Sequence, residues 1–132
     1  MKKKIIAFIL LLLIIIIVAR FGISRAKGIA RPEVSTLDEE IAWEKEHNLW
    51  GRYDDYEHEE YTVKGYKDYE LHLSLIKNPS PTNKYVIISH GFKSNRYGGI
   101  KYLDAYINMG FSCILYDMRG HGENEAATVS LG

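Results

Sequence analysis

This chain has very little cysteine and no formal net charge. One of its 132 residues is a cysteine, and 17 basic side chains balance 17 acidic ones. A single cysteine excludes an internal disulfide and a multi-cysteine metal site. The charge balance leaves no positive surplus of the kind that attracts nucleic acid, so we expect no nucleic-acid partner. Cys113 stands in an apolar run and is predicted to be a small buried side chain.

A serine within a Gly-x-Ser-x-Gly pattern is also missing. In that pattern a tight strand-to-helix turn exposes the serine as a nucleophile. The nearest matches are Gly110–Ile114, at the entrance to an apolar run, and Gly22–Ala26, beside the N-terminal apolar segment, and neither offers such a turn. His58 stands among the carboxylates of the acidic run 54–60, but nothing there repeats at ligand spacing. We expect a solvated edge at this run, and neither a metal nor a cofactor.

What the chain does have is a long apolar segment near its N-terminus. The basic residues Lys2–Lys4 precede an unbroken apolar run, Ile5–Ala19, which reaches Ile23 if the side chain of Arg20 bends back to the membrane surface. A buried helix of a soluble domain does not carry apolar side chains on every face over this length. We therefore predict a single-pass membrane protein whose residues 5–23 contact lipid.

Two interpretations of this segment remain open, an uncleaved anchor and a cleavable signal peptide. A signal peptide needs small residues at its cleavage site, whereas here the bulky Ile17 and Val18 precede Ala19. That favours an anchor over residues 1–25. Basic residues flank the segment on both sides, and we expect the short N-terminus inside and the bulk of the chain on the extracytoplasmic side.

Residues 26–59 are predicted to form a juxtamembrane helix and a linker. Ser35 or Thr36 precedes the sequence Leu-Asp-Glu-Glu-Ile of residues 37–41, which is a capping-box pattern with acidic residues in the first turn. The apolar spacing carries this helix to about His47.

Residues 60–132 begin with a predicted β-hairpin. Tyr61–Lys64 and Tyr69–Ile76 alternate apolar and polar side chains on either side of a turn. This alternation predicts two antiparallel strands with one buried face.

A βαβ unit is predicted to follow the hairpin. Tyr85–Ser89 and Ser112–Tyr116 are apolar without alternation, as expected of strands that a parallel sheet covers on both faces. The helix predicted between them has Asn95 as its cap and Gly110 at its end. Its apolar residues recur at helical spacing and are Ile100, Leu103 and Ile107. A hairpin followed by a right-handed crossover makes a mixed α/β sheet.

Each parallel strand ends in a recognisable motif. The first strand runs into His90-Gly91-Phe92, and the second into Asp-Met-Arg-Gly-His-Gly at residues 117–122. At this spacing the two motifs resemble the N-terminal part of the α/β-hydrolase superfamily, in its serine aminopeptidase-like and esterase-like branch. Asn124 stands where that branch usually has serine. The resemblance covers about residues 60–132 and implies a truncated α/β-hydrolase domain, preceded here by one transmembrane helix.

The resemblance also implies a role for individual residues. Acyl transfer builds an oxyanion, which backbone N–H groups fixed in advance can stabilise. One such donor is implied at the N–H of Phe92, where Gly91 would allow the tight turn, and Arg96 and Tyr97 are expected with Phe92 at the mouth of a substrate pocket. Asp117 and Arg119 are expected to brace the loops by ion pairs and hydrogen bonds. The loop-supporting residues as a set are His90, Gly91, Asp117, Arg119, Gly120, His121 and Gly122.

The catalytic residues are expected beyond Gly132. In this family the order along the chain is nucleophile, acid and then histidine, so neither His90 nor His121 is expected to be the base. The resemblance implies a membrane-anchored serine hydrolase acting on a carboxylic ester or a peptide, with these 132 residues inactive by themselves. The alternative is a non-catalytic, membrane-anchored remnant or interaction protein.

Overall fold

The computed structural model describes residues 2–65 and 69–124 and divides into two compact units, Met1–Pro32 and Glu33–Gly132. The first unit is one helix, α1, over Lys2–Ala30. Its side chains are exposed on all sides, and its stretch Lys3–Ala30 is long and apolar enough to cross a membrane. A signal sequence near an N-terminus has the same length and composition. The helix continues five residues past residue 25, the predicted end of the anchor.

The second unit opens with the predicted capped helix. Helix α2 spans Leu37–Glu46, with Thr36 as its N-cap. The Thr36 hydroxyl accepts a hydrogen bond from the N–H of Glu39, and the Glu39 carboxylate accepts one from the N–H of Thr36. This reciprocal pair satisfies two N–H groups that the first helical turn leaves free. The capping box and the end near His47 are both confirmed.

Within the described ranges four strands form one mixed sheet in the order β1-β2-β4-β3, where β1 is His58–Lys64, β2 Glu70–Ile76, β3 Tyr85–Ser89 and β4 Ser112–Tyr116. Strands β1 and β2 are antiparallel, with His58 opposite Ile76. Strand β4 runs antiparallel to β2 and parallel to β3. The predicted hairpin and crossover are thus both present, and β1 starts three residues before Tyr61 because the end of the acidic run joins the ladder.

The crossover packs closely on the sheet. It consists of a 3₁₀ helix over Arg96–Tyr102 followed by helix α3 over Leu103–Asn108. A Cβ added to Gly99 would lie 3.0 Å from Leu115 and 3.1 Å from Ile88, so the absence of a side chain there lets the helix approach β3 and β4. The three residues predicted at helical spacing are buried: Ile100, Leu103 and Ile107. Gly110 ends the crossover with a φ of 85°.

Burial of the strands differs from the prediction. Only one face of β3 is covered, because Ile88 is buried while Ile87 is 65% exposed. Strand β3 is an outer strand of the described sheet, and the crossover lies on one of its faces only. Strand β1, the other outer strand, exposes both faces rather than one. The central strand β4 comes nearest to the prediction, with Cys113 fully buried as expected.

Candidate functional site

The predicted oxyanion donor lies on a β-turn at the carboxyl end of β3. The turn spans Gly91–Ser94, and the N–H of Ser94 donates to the carbonyl oxygen of Gly91 at 3.2 Å. The positive φ that such a turn requires at its third residue belongs to Lys93, at 69°. Gly91 begins the turn with a negative or extended φ and open space around it, so the turn does not depend on a glycine at this position.

Phe92 occupies the second position of this turn. Its side chain is 48% exposed. In the part of the chain that the structure describes, its N–H donates to no acceptor. An N–H at the carboxyl end of a strand, held by a hydrogen-bonded turn and left free, has the geometry that a ligand oxygen can use.

An open cleft of about 580 Å³ lies beside the turn. Phe92 and Lys93 form part of its lining, and Trp43 of α2 and Tyr102 of the 3₁₀ helix add two aromatic side chains. Phe92, Trp43 and Tyr102 are each about half exposed. The cleft therefore combines apolar rings with polar groups, as small-molecule sites do.

His90 ties the two strand ends together. It is buried, and its Nε2 accepts a hydrogen bond from the N–H of Met118 at 3.0 Å. Since Nε2 accepts, the proton resides on Nδ1, which donates to the carbonyl oxygen of Gly91 at 2.8 Å. Burial lowers the pKa of His90 and keeps the ring neutral. Both nitrogens are occupied by the backbone, which leaves neither free to accept a proton from a nucleophile.

Asp117 braces its loop through Arg96. The guanidinium of Arg96 contacts the Asp117 carboxylate, and the Arg96 N–H donates to the same carboxylate at 2.7 Å. Arg119 is exposed and forms no ion pair with a residue in the described ranges, so its bracing role stays a prediction. Arg96 also contacts Glu123 at 2.6 Å.

Arg96 and Tyr97 do not lie at the mouth of the cleft, which is where the sequence analysis predicts them. Arg96 is only 4% exposed, and Tyr97 packs against the core beside Tyr53. Both were expected at a pocket mouth. The path of the 3₁₀ helix turns them away from the cleft, since Asn95 caps it and directs the Arg96 side chain to the end of β4.

The loop after β4 folds back on Asp117 through two glycines. Gly120 and Gly122 have φ values of 75° and 53°, which glycine adopts without strain. A Cβ at Gly122 would lie 2.3 Å from the Asp117 carboxylate. His121 is buried between the turns, with its Nδ1 3.1 Å from the carbonyl oxygen of Arg119 and its ring 4.9 Å from that of His90. Both histidines thus pack the base of the site.

Asn124 is a structural residue that sequence reasoning missed. It is buried, its side-chain amide donates to the carbonyl oxygen of Asp117, and its Oδ1 accepts from the N–H of His72 at 3.0 Å. One side chain therefore links the loop to β2. The signal was present in the sequence as the position where asparagine replaces the serine usual in the resembled branch.

The described residues do not assemble a catalytic triad. Within 2–65 and 69–124 no serine hydroxyl is hydrogen-bonded to a histidine ring, and no group of three His, Cys, Asp or Glu side chains is placed to hold a metal ion. Ser112, in one of the near matches to the missing motif, is buried and accepts from the N–H of Asn78 at 3.1 Å. The geometry offers a positioned donor and a cleft, without a nucleophile among these residues.

Comparison with known proteins adds a fold relationship. No family model matches the chain. An uncharacterized protein of Bacillus subtilis (strain 168), YqkD, is 32% identical over 72 residues, which cover 54% of this chain and 21% of YqkD. The esterase Pf2001 of Pyrococcus furiosus superposes with a TM-score of 0.51 at 24% identity, over 63% of this chain and 34% of its own. An acetyl xylan esterase of Thermoanaerobacterium sp. aligns over 83% of this chain and 38% of its own, at 17% identity and a TM-score of 0.40.

The chain spans about a fifth of YqkD and about a third of Pf2001. The likeness to Pf2001 concerns the fold. The sheet and crossover described above are therefore part of an esterase-like α/β fold, present at partial coverage and accompanied by one long apolar N-terminal helix.

Proposed function

We propose that this chain contributes to a membrane-anchored serine hydrolase of the α/β-hydrolase superfamily that cleaves a small carboxylic ester or a peptide. The observation that supports the proposal best is the N–H of Phe92, which lies on the hydrogen-bonded turn after β3 and donates to no acceptor among residues 2–65 and 69–124. The nucleophile, acid and base are expected outside the described residues.

In the proposed mechanism the N–H of Phe92 is one of two oxyanion donors. A serine oxygen attacks the carbonyl carbon of the substrate, and the carbonyl oxygen gains negative charge. The Phe92 N–H donates to that oxygen, and the second donor is the N–H after the nucleophile. His90 holds the turn in place through the carbonyl oxygen of Gly91, so the donor needs no rearrangement when charge develops.

Helix α1 is proposed to anchor this enzyme in a membrane. It has no acidic side chain between Lys2 and Ala30 and an apolar centre. If the helix spans the bilayer, alkaline carbonate will leave the native protein in the membrane pellet. Release into the supernatant, or a mature N-terminus downstream of the apolar run, would favour a cleaved signal peptide.

A substitution pair at Phe92 tests the oxyanion role. Proline fits the second position of a β-turn, so Phe92→Pro keeps the turn while it removes the N–H. In the native gene product we expect kcat on a model ester to fall about 100- to 1000-fold. Phe92→Ala retains the N–H and is the matched control, with a much smaller effect.

Labelling identifies the catalytic class independently. A serine-directed fluorophosphonate should label the native gene product, and Phe92→Pro should slow that labelling. If the native product is neither labelled nor active on esters and peptides, the hydrolase proposal fails and the non-catalytic interpretation is supported. If Phe92→Pro and Phe92→Ala behave alike, the oxyanion role of Phe92 is wrong.

A further inference from the structure

The last third of helix α1 differs in charge from the apolar run before it. Four basic residues fall within residues 20–31, and the first acidic side chain of the whole sequence is Glu33. The four are Arg20, Arg25, Lys27 and Arg31. Unlike the apolar centre, this part of the helix carries uncompensated positive charge.

Three of these four basic side chains share one face. At about 100° per residue, Arg20, Ser24, Lys27 and Arg31 fall within an arc of about 60°, and they extend along roughly 16 Å of the axis. The N–H of Arg31 donates to the carbonyl oxygen of Lys27 at 2.8 Å, so the helical path continues to Arg31. Arg20, Ser24 and Lys27 also line one shallow groove with Ile23. We call Arg20, Ser24, Lys27 and Arg31 the cationic stripe.

The face opposite the stripe is mostly apolar and carries one basic residue, Arg25. Its other residues are Gly22, Ala26 and Ile29, with Phe21 at its border. Arg25 lies away from the stripe, and its guanidinium is 5.0 Å from the centroid of the Phe21 ring. This end of the helix therefore has three of its four basic side chains on one face and a mostly apolar opposite face.

The length of the apolar run places the stripe at the membrane surface. Ile5–Ala19 is a helix of about 15 residues and roughly 22 Å, shorter than a hydrocarbon core of about 30 Å. Phe21 and Ile23 add apolar length on the other faces, while Arg20 reaches outward. The stripe then runs from the edge of the hydrocarbon through the headgroup layer, where phosphate groups lie.

We propose that the cationic stripe binds the phosphate groups of anionic phospholipids, an inference that rests on the proposed anchoring of α1. Arginine donates two parallel hydrogen bonds to a phosphate, lysine adds a point charge, and the Ser24 hydroxyl between them donates one more. The apolar residues of the opposite face pack against acyl chains. The anchor thereby selects negatively charged lipid neighbours as well as spanning the bilayer.

Lipid selectivity measured by spin labels tests the proposal. The full chain is reconstituted in phosphatidylcholine vesicles with trace spin-labelled phosphatidylglycerol or phosphatidylcholine, and the motionally restricted fraction is compared. We expect the protein to prefer phosphatidylglycerol by about threefold or more, with the preference weakened by salt. Inorganic phosphate at matched ionic strength should not abolish it. Abolition by phosphate would show a site for the free anion and overturn the lipid assignment.

A pair of substitutions distinguishes lipid binding by the cationic stripe from a general effect of the net charge of the helix. Arg31→Gln on the stripe and Arg25→Gln off it remove the same group from the same end of the helix. We expect Arg31→Gln to reduce the preference for phosphatidylglycerol and Arg25→Gln to reduce it less. The triple variant Arg20→Gln/Lys27→Gln/Arg31→Gln should restrict the two labelled lipids almost equally. Equal effects of Arg31→Gln and Arg25→Gln would overturn the stripe.

Carbonate extraction of the same vesicles distinguishes the two ways to fail. If the chain resists extraction but shows no lipid preference, the proposed anchoring holds and the inference about the cationic stripe is wrong. A chain that carbonate releases is not anchored, and both inferences are then wrong.

Discussion

At the scale of single residues, the site is organised around the carboxylate of Asp117. It accepts hydrogen bonds from the N–H of Arg96 and the N–H of Glu123, at 2.7 and 3.0 Å, and contacts the Arg96 guanidinium. Asp117 is fully buried. Because a buried charge is stable only when paired and hydrogen-bonded, this network holds the loop after β4 against the start of the crossover.

Substitution of Asp117 should therefore weaken the fold strongly. Among the described residues, Asp117→Asn leaves the buried guanidinium of Arg96 with the carboxylates of Glu123 and Glu60, which are themselves about half exposed. We expect the free energy of unfolding of the full chain in detergent to fall by about 3–5 kcal/mol in a urea titration. The control is Arg119→Gln, on an exposed side chain, with an expected change below about 0.5 kcal/mol. Equal losses in the two variants would contradict the assigned pairing.

The sequence identifies most of these positions but does not identify the partner of Asp117. Asp117, Gly120 and Gly122 stand out in a motif, and the two glycines do have the positive φ values expected of sharp turns. The partner of Asp117 could not be read from the motif, because Arg96 lies 21 residues earlier and its direction depends on the 3₁₀ path after Asn95.

At the scale of elements, local sequence patterns predict which helices and strands form, and in what order, better than they predict which strand faces are buried. The capping box, the hairpin and the parallel crossover all follow from spacing within short segments. Coverage of a strand depends on which elements lie above and below it, and a segment's own sequence does not contain that information. The exposed Ile87 on β3 and the exposed faces of β1 are the result.

The contact between α2 and the crossover depends on Gly98. A Cβ there would lie 2.0 Å from the Ser94 hydroxyl and 2.7 Å from the Glu40 carboxylate, which are hydrogen-bonded to each other. We expect Gly98→Ala to lower the free energy of unfolding by about 1–3 kcal/mol, measured by urea titration in detergent. Gly91→Ala meets nothing within 4 Å and should be neutral or stabilising by up to about 1 kcal/mol. If Gly98→Ala and Gly91→Ala lower the free energy of unfolding by similar amounts, the close approach at Gly98 is not the cause of the loss.

At the scale of the whole molecule, His90 should make stability depend on pH. Burial lowers its pKa in the folded chain below the ordinary value of 6.5. As pH falls through about 6.5, the unfolded chain binds a proton that the folded chain resists, so the stability present above this pH is progressively lost. Urea midpoints at pH 7.5 and pH 5.5 measure the loss.

Two histidine variants assign this pH dependence. His90→Gln should reduce the difference between the two midpoints, whereas His47→Gln, on the exposed end of α2, should leave it in place. An unchanged difference in His90→Gln would mean that other groups produce it.

The Asp117 carboxylate contacts the Arg96 guanidinium and also accepts from two backbone N–H groups. This double role determines which of the two positions, 96 or 117, must carry the acid. Many ion pairs can be reversed by exchanging the two residues, because only the sum of the charges matters. Here an arginine at position 117 would bring donors toward the N–H groups of residues 96 and 123, which need an acceptor. The double exchange Arg96→Asp/Asp117→Arg restores the charges but leaves two N–H groups facing donors, so this pair admits only one orientation along the chain.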